Sequence, residues 1–246
     1  MKLLFFCATG LLFASQVAVC QSPVSVGSPD PQTNNLQDPS KIYEYTKSLD
    51  AMRDDSPFKG ISGSPYLVPR WLSAVITTRS KTVMDTVPLK YDVLRQRVLI
   101  RDQQKGDSLQ VEDNLIASFV LTDPEQAQER REFRRFSEAP VPDQAREFVE
   151  VLHRGKYTLL KQYKKDIQTA GYASAYLYDE SPKAIEDKVI YYLARPNGSA
   201  VPVKLKMKAL QAAAPELASA LKEAGRKQSI GKEEDAVALL QAVDKP

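Results

Sequence analysis

The feature that most constrains this chain is a train of short apolar runs between Trp71 and Met207, each cut off by turn-formers or charges. They read WLSAVITT, TVMDTVPLKYDV, QRVLIRD and SLQVEDNLIASFVL, then REFVEVLH, KYTLLKQYKK, KVIYYLAR and VPVKLKM. Val98 and Ile100 alternate with Arg97, Leu99 and Arg101, and Leu109, Val111 and Asp113 keep the same period of two. That period puts successive side chains on opposite faces, as in a half-buried strand. Connections as short as Gln103 to Asp107 can join only antiparallel neighbours, because parallel pairing needs a crossover of about a dozen residues or more. Asn197-Gly198 between two β-rich runs marks a hairpin, since both residues tolerate the positive φ of its turn.

Helices are expected where the period changes. Ile42, Tyr45, Leu49 and Met52 are spaced for a short amphipathic helix over Lys41 to Arg53, followed by turn chemistry in FKGISGSPYLVPRW. Thr122-Asp123-Pro124-Glu125 has the spacing of a capping box and predicts a charged helix over EQAQERREFRRF, ending before Pro140-Val141-Pro142. Pro215 opens a segment carrying Leu217 and Leu221, and a last helix carries Val237, Leu240 and Val243, with Gly225 and Gly231 as stops. The fold class is therefore α+β: antiparallel β meanders in two units, with a connecting helix and C-terminal helices. The expected boundaries are an N-terminal helix and first β unit over 41–122, the connector over 123–142, the second β unit over 143–208 and the helices over 209–246. No fixed-period repeat of the solenoid kind is present.

Residues 1–20 read as a secretory signal peptide: Lys2, an apolar run to about Ala14, then small and polar residues. The run is too short for a transmembrane helix, which needs roughly 20 apolar residues. Ala18 and Cys20 suit ordinary cleavage before Gln21, whereas Val19 is a poor residue to precede a lipidated Cys20. The expectation is an exported chain, periplasmic or extracellular, with no transmembrane segment after cleavage; anchoring through Cys20 is the disfavoured alternative. Cleavage there removes both cysteines, Cys7 and Cys20, and with them any disulfide or thiolate chemistry. Residues 21–40, QSPVSVGSPDPQTNNLQDPS, carry too few apolar side chains for a core and read as a flexible leader. The formal charge of +3 falls to +2 without Lys2, so overall charge names no partner.

The second half resembles a group of small exported bacterial proteins of uncharacterised function. The likeness rests on FVEVLHRGKYTLLKQYKK with its GK-x-x-LL-x-x-Y pattern, on KVIYYLARPNGSAVPVKL with its YY-L hairpin, and on the paired C-terminal helices KALQAAAPELASALKEAG and EEDAVALLQAV. The GSPYL segment, Gly63 to Leu67, resembles an entry motif of the same group. The resemblance covers most of residues 60 to 243. It implies export and fold type, and carries over no catalytic residue.

The chemistry-bearing residues are few. His153 is the single histidine and lies beside the Arg154-Gly155 turn, where a solvated side chain without chemical role is expected. One histidine and no remaining cysteine argue against the usual zinc sites, and no G-x-S-x-G elbow presents a serine. Ser56, Ser219 and Ser229 each begin an S-x-x-K, but the companion S-D-N and K-T-G elements are missing. Gly60-Ile61-Ser62-Gly63 lacks the ending of a phosphate loop. Glu112-Asp113 and Glu186-Asp187 are adjacent acids that a strand would point to opposite faces, so neither pair alone can flank a glycosidic bond. No catalytic residue, cofactor or metal is assigned.

Binding chemistry is better represented. Tyr157, Tyr163, Tyr172, Tyr176, Tyr178, Tyr191 and Tyr192 crowd into the second β unit, offering apolar area with polar tips, although aromatics also serve as strand formers. In GKYTLLKQYKKDI, Tyr157, Leu159, Lys161, Tyr163 and Lys165 share one strand face and the lysines collect at the far end. Candidate contacts for an anionic partner are Lys161, Tyr163, Lys164 and Lys165, together with Arg130 and Arg134, which repeat at i,i+4 with Arg131 and Arg135 nearby. A near-neutral chain without a continuous basic stripe argues against nucleic acid. The resulting expectation is a non-enzymatic binding or interaction protein of the cell envelope, with an envelope polymer or another envelope protein as partner. The competing reading is a hydrolase of envelope polysaccharide using two carboxylates brought together from different segments.

Overall fold

The computed structural model describes residues 42–43, 46–48, 58, 60–84, 86–102, 106–123, 125–169, 183–226 and 229–245. The expected signal and leader segments, and Tyr45, Leu49, Met52, Tyr172, Tyr176 and Tyr178, lie outside them. Twelve strands follow in chain order: β1 (Thr46–Ser48), β2 (Ile61–Ser62), β3 (Leu72–Thr78), β4 (Val87–Asp92), β5 (Arg97–Arg101), β6 (Ser108–Val111), β7 (Ile116–Asp123), β8 (Gln126–Arg135), β9 (Phe148–His153), β10 (Thr158–Thr169), β11 (Lys183–Ala194) and β12 (Ala200–Pro202). Three short helices follow, α1 (Met207–Ala213), α2 (Ala218–Ala224) and α3 (Glu233–Val243). The fold is α+β, with a mostly antiparallel sheet and C-terminal helices.

Among the described residues all twelve strands join one sheet in the order β1-β6-β5-β4-β3-β7-β8-β9-β10-β11-β12, with β2 beside β11 in the single parallel pairing. β6 and β7 are consecutive in the chain, yet β5, β4 and β3 stand between them. In a flat sheet four spacings would separate them by about 19 Å. Only residues 112–115 connect them, and that link is tightened by a Leu115 N–H to Glu112 carbonyl bond of 3.1 Å. The sheet must therefore curl to bring the two strands together. Arg135 fastens the curl, donating to the Ile116 carbonyl at 3.1 Å and to Asp113 Oδ1 at 2.9 Å while stacking 3.9 Å from the Phe148 ring.

GSPYL adds a second closure. Gly63 leaves β2 against β11, and four residues later Leu67 N–H bonds the Tyr91 carbonyl of β4 at 2.8 Å, with Val93 N–H on the Pro65 carbonyl at 2.9 Å. A Cβ on Gly63 would lie 3.0 Å from the Ile185 carbonyl oxygen, and its φ of +95° is one that only glycine adopts readily.

The inner face of the curl holds a core built on Tyr91, Phe119, Phe133 and Phe148, all buried. Phe119 stacks on Phe133 at 5.0 Å and meets Phe148 edge-on at 4.9 Å. This cluster explains why the expected connector helix is strand β8. Register sets Phe133 opposite Phe119 on β7 and Glu150 on β9, so an extended backbone buries the ring completely while Arg134 faces the other way. Asp123 caps no helix; its Oδ1 accepts the Glu125 N–H at 3.0 Å and tightens the β7–β8 hairpin. Near the N-terminus Ile42 and Tyr43 lie in a 3-10 turn and residues 46–48 pair with β6, in place of one helix over 41–53.

Helices α1, α2 and α3 cover the β9–β12 end of the inner face, where Leu159, Leu193, Leu210, Leu221, Leu239 and Leu240 are buried together. Gly225 does end α2, whereas Gly231 precedes α3: its N–H and that of Lys232 both bond Asp235 Oδ2 at 2.9 Å, capping the new helix. A smaller cluster of Phe136, Val149, Leu160 and Tyr192 packs on the outer face.

Candidate functional site

A polar band crosses the inner face between the aromatic core and the helices. Arg131 of β8 grips Glu150 of β9 with two bonds, Nε to Oε1 at 2.8 Å and Nη2 to Oε2 at 3.0 Å. The Tyr163 hydroxyl of β10 donates to Glu150 Oε2 at 2.5 Å and accepts from Arg131 at 2.8 Å. Beside it Lys161 Nζ lies 2.7 Å from Glu233 at the start of α3, and the Tyr191 hydroxyl donates to the same oxygen at 2.6 Å. Burial pushes the Tyr163 phenol well above the ordinary tyrosine range, and the Glu150 charge adds to that. Tyr191 is raised by burial and by its bond to Glu233. Both phenols therefore keep their protons at neutral pH and serve as donors.

Acids from two elements border this band, Glu150 of β9 bonded to Tyr163 and Glu233 of α3 bonded to Lys161 and Tyr191. Glu150 is buried and held through both oxygens by Arg131 and Tyr163, and Glu233 is held through Oε2 by Lys161 and Tyr191. The band ties α3 to the sheet and stitches β8, β9 and β10 together.

The residues singled out from sequence do not form one surface. Lys161, Tyr163 and Lys165 line the inner face, and Lys165 is paired with Asp187 of β11. Lys164 points to the outer face and pairs with Glu147 at 2.5 Å. Arg134, also on the outer face, forks onto Glu138 with two bonds of 2.8 Å. Arg130 is exposed.

His153 differs from its expectation of a solvated side chain. It is 5% exposed, with Nε2 3.1 Å from Asp244 Oδ2 just past α3. Asp244 also accepts the backbone N–H of Lys156 at 3.1 Å and of Tyr157 at 2.9 Å. A Cβ on Gly155 would fall 2.5 Å from this carboxylate, so glycine permits the approach. The cluster is a buried latch for the last helix. A shallow depression beside it is lined by Glu132, Arg154, Gln241 and Lys245.

Sequence reasoning missed the outer edge of β11. That strand runs for twelve residues, but β12 covers only Tyr192 to Ala194 and β2 only Lys183 and Ala184. Among the described residues no strand pairs with the stretch between. Alongside it opens a groove of about 630 Å³ lined by Val189, Ile190, Tyr191, Pro202, Val203, Lys204, Leu205 and Lys206. Its walls are mainly apolar, Val189 is 41% exposed, and Lys204 and Lys206 stand exposed at the rim with no acid paired to them among the described residues. The Val201, Val203, Leu205 alternation running past the end of β12 is the sequence signal that could have pointed here. No described group of His, Cys, Asp and Glu side chains could hold a metal, and no described helix is long and apolar enough to cross a membrane. No protein-family model, curated protein or solved structure matches this chain.

Proposed function

We propose that this chain is an exported, non-enzymatic binding protein of the bacterial cell envelope, and that it takes its partner at the outer edge of β11. The observation that carries the reading is the apolar groove beside an unpartnered stretch of strand. Apolar surface of that extent, rimmed by cations, is costly to leave in water and is characteristic of interaction sites. The alternative of a hydrolase draws less support, because Glu150 is buried with both oxygens held by Arg131 and Tyr163. In this reading the aromatic core, drawn from β4, β7, β8 and β9, holds the sheet together, and β11 and β12 with the helices present the binding edge. Export follows the N-terminal segment, with cleavage behind Cys20 releasing a soluble protein. The test is site-resolved crosslinking in cells, with a benzophenone side chain at Leu205 and a control at Val83, an exposed apolar residue in the β3–β4 turn. A discrete adduct from position 205 and none from 83 is expected. No adduct at 205, or the same adduct from both, would contradict the reading.

A further inference from the structure

Resting on that binding reading, we infer that the partner is an extended peptide segment that adds to β11 as a strand between β2 and β12, placing apolar side chains in the groove and acidic ones against Lys204 and Lys206. Backbone direction comes first. Arg195 N–H bonds the Ser199 carbonyl and Val203 N–H bonds the Tyr191 carbonyl, both at 2.8 Å. Odd-numbered residues of β11 thus turn their N–H and C=O groups outward, and even-numbered ones turn theirs toward β10, with a register unbroken from Lys183 to Ala194. Asp187 and Val189 therefore each aim a donor and an acceptor at the open edge.

The window has defined ends. Gly63 abuts Ile185 on one side, and Val203 closes on Tyr191 at the other. Between them about five residues of strand fit, spanning roughly 17 Å. Val189 and Tyr191 share the inner face with Val203, so alternate side chains of an added strand face the apolar groove. Lys204 and Lys206 lie where the chain leaves β12 for α1, and supply the charge an acidic segment complements. A lipid chain could cover the same apolar area but would leave the Asp187 and Val189 backbone groups unpaired. A peptide satisfies both needs, which is the logic of strand addition.

The test uses the mature chain and a fluorescent, capped peptide of about seven residues alternating glutamate and valine, long enough to fill the window. Controls are the lysine–valine counterpart, the same acidic peptide N-methylated at alternate residues, and phosphatidylglycerol vesicles. Anisotropy should show saturable binding of the acidic peptide alone. Val189→Pro removes an outward N–H without touching the β10 ladder, and should weaken binding about ten-fold or more, the scale of one lost hydrogen bond. Lys204→Glu with Lys206→Glu should do likewise. If Val189→Pro unfolds the protein, the N-methylated peptide asks the same question from the ligand's side. Failure of the acidic peptide to bind, equal binding of the lysine or N-methylated peptide, or binding to vesicles alone overturns strand addition. An adduct at position 205 alongside any of those results would leave the binding reading standing and remove only this inference.

Discussion

Replacing Asp244 by alanine should be among the most damaging single changes available outside the aromatic core. The carboxylate is buried and receives three donors: His153 Nε2, Tyr157 N–H and Lys156 N–H. Each buried donor left unpaired costs about 1–3 kcal/mol. The Lys156 amide is only part-buried and regains water, so the total is about 3–5 kcal/mol. At about 2–4 °C per kcal/mol for a chain of this size, the melting temperature should fall by about 6–20 °C. Circular dichroism melts paired with urea midpoints measure it. Gly155→Ala supplies an internal check, because its Cβ would strike the same carboxylate at 2.5 Å. In the Asp244→Ala background part of that clash disappears, so the two penalties should combine sub-additively. A fall below about 1 °C for Asp244→Ala, too small for even one buried donor, would refute the latch.

Further expectations concern the polar band, the rings and the GSPYL closure. Arg131→Ala should cost about 3–5 kcal/mol by leaving buried Glu150 uncompensated, and Arg131→Met with Glu150→Leu should recover most of it, as read by urea denaturation. Phe133→Ala should cost a similar 3–5 kcal/mol through the cavity it opens, measured the same way. Gly63→Ala should destabilise by about 1–3 kcal/mol, since its positive φ and the Ile185 carbonyl both oppose a side chain; an unchanged melt would count against that closure. Burial raises the phenols of Tyr91, Tyr163 and Tyr191. The native state then holds these protons more tightly than the unfolded chain does, so the stability they confer is complete below about pH 10 and is lost as pH climbs beyond it. Absorbance at 295 nm should show late-titrating tyrosines that shift down on unfolding; all tyrosines titrating near pH 10 in the folded protein would contradict this.

Most of the sheet was legible because its strands obey a period of two and its turns carry Asn197-Gly198 or short polar loops. β8 was hidden because Arg130, Arg131, Arg134 and Arg135 satisfy helical spacing as well as alternation, and Phe133 and Phe136 stand three apart as on a helix. What decides is tertiary: Phe133 enters the inner core while Phe136 packs on Tyr192 of the outer face. Sequence also gave no access to the His153–Asp244 latch, whose partners are 91 residues apart. Among the described residues the open edge of β11 follows from a hairpin with unequal arms, twelve residues against three. Sequence marks such a turn but not where its shorter arm departs.

The most direct test of that open edge is residue-resolved amide hydrogen exchange on the free protein across β11. Lys188 and Ile190 bond toward β10 and should exchange slowly, while Asp187 and Val189 face outward and should exchange fast, giving an alternating pattern. Equal protection at all four amides would mean that the edge is already paired, and would contradict the account of this strand as the binding site.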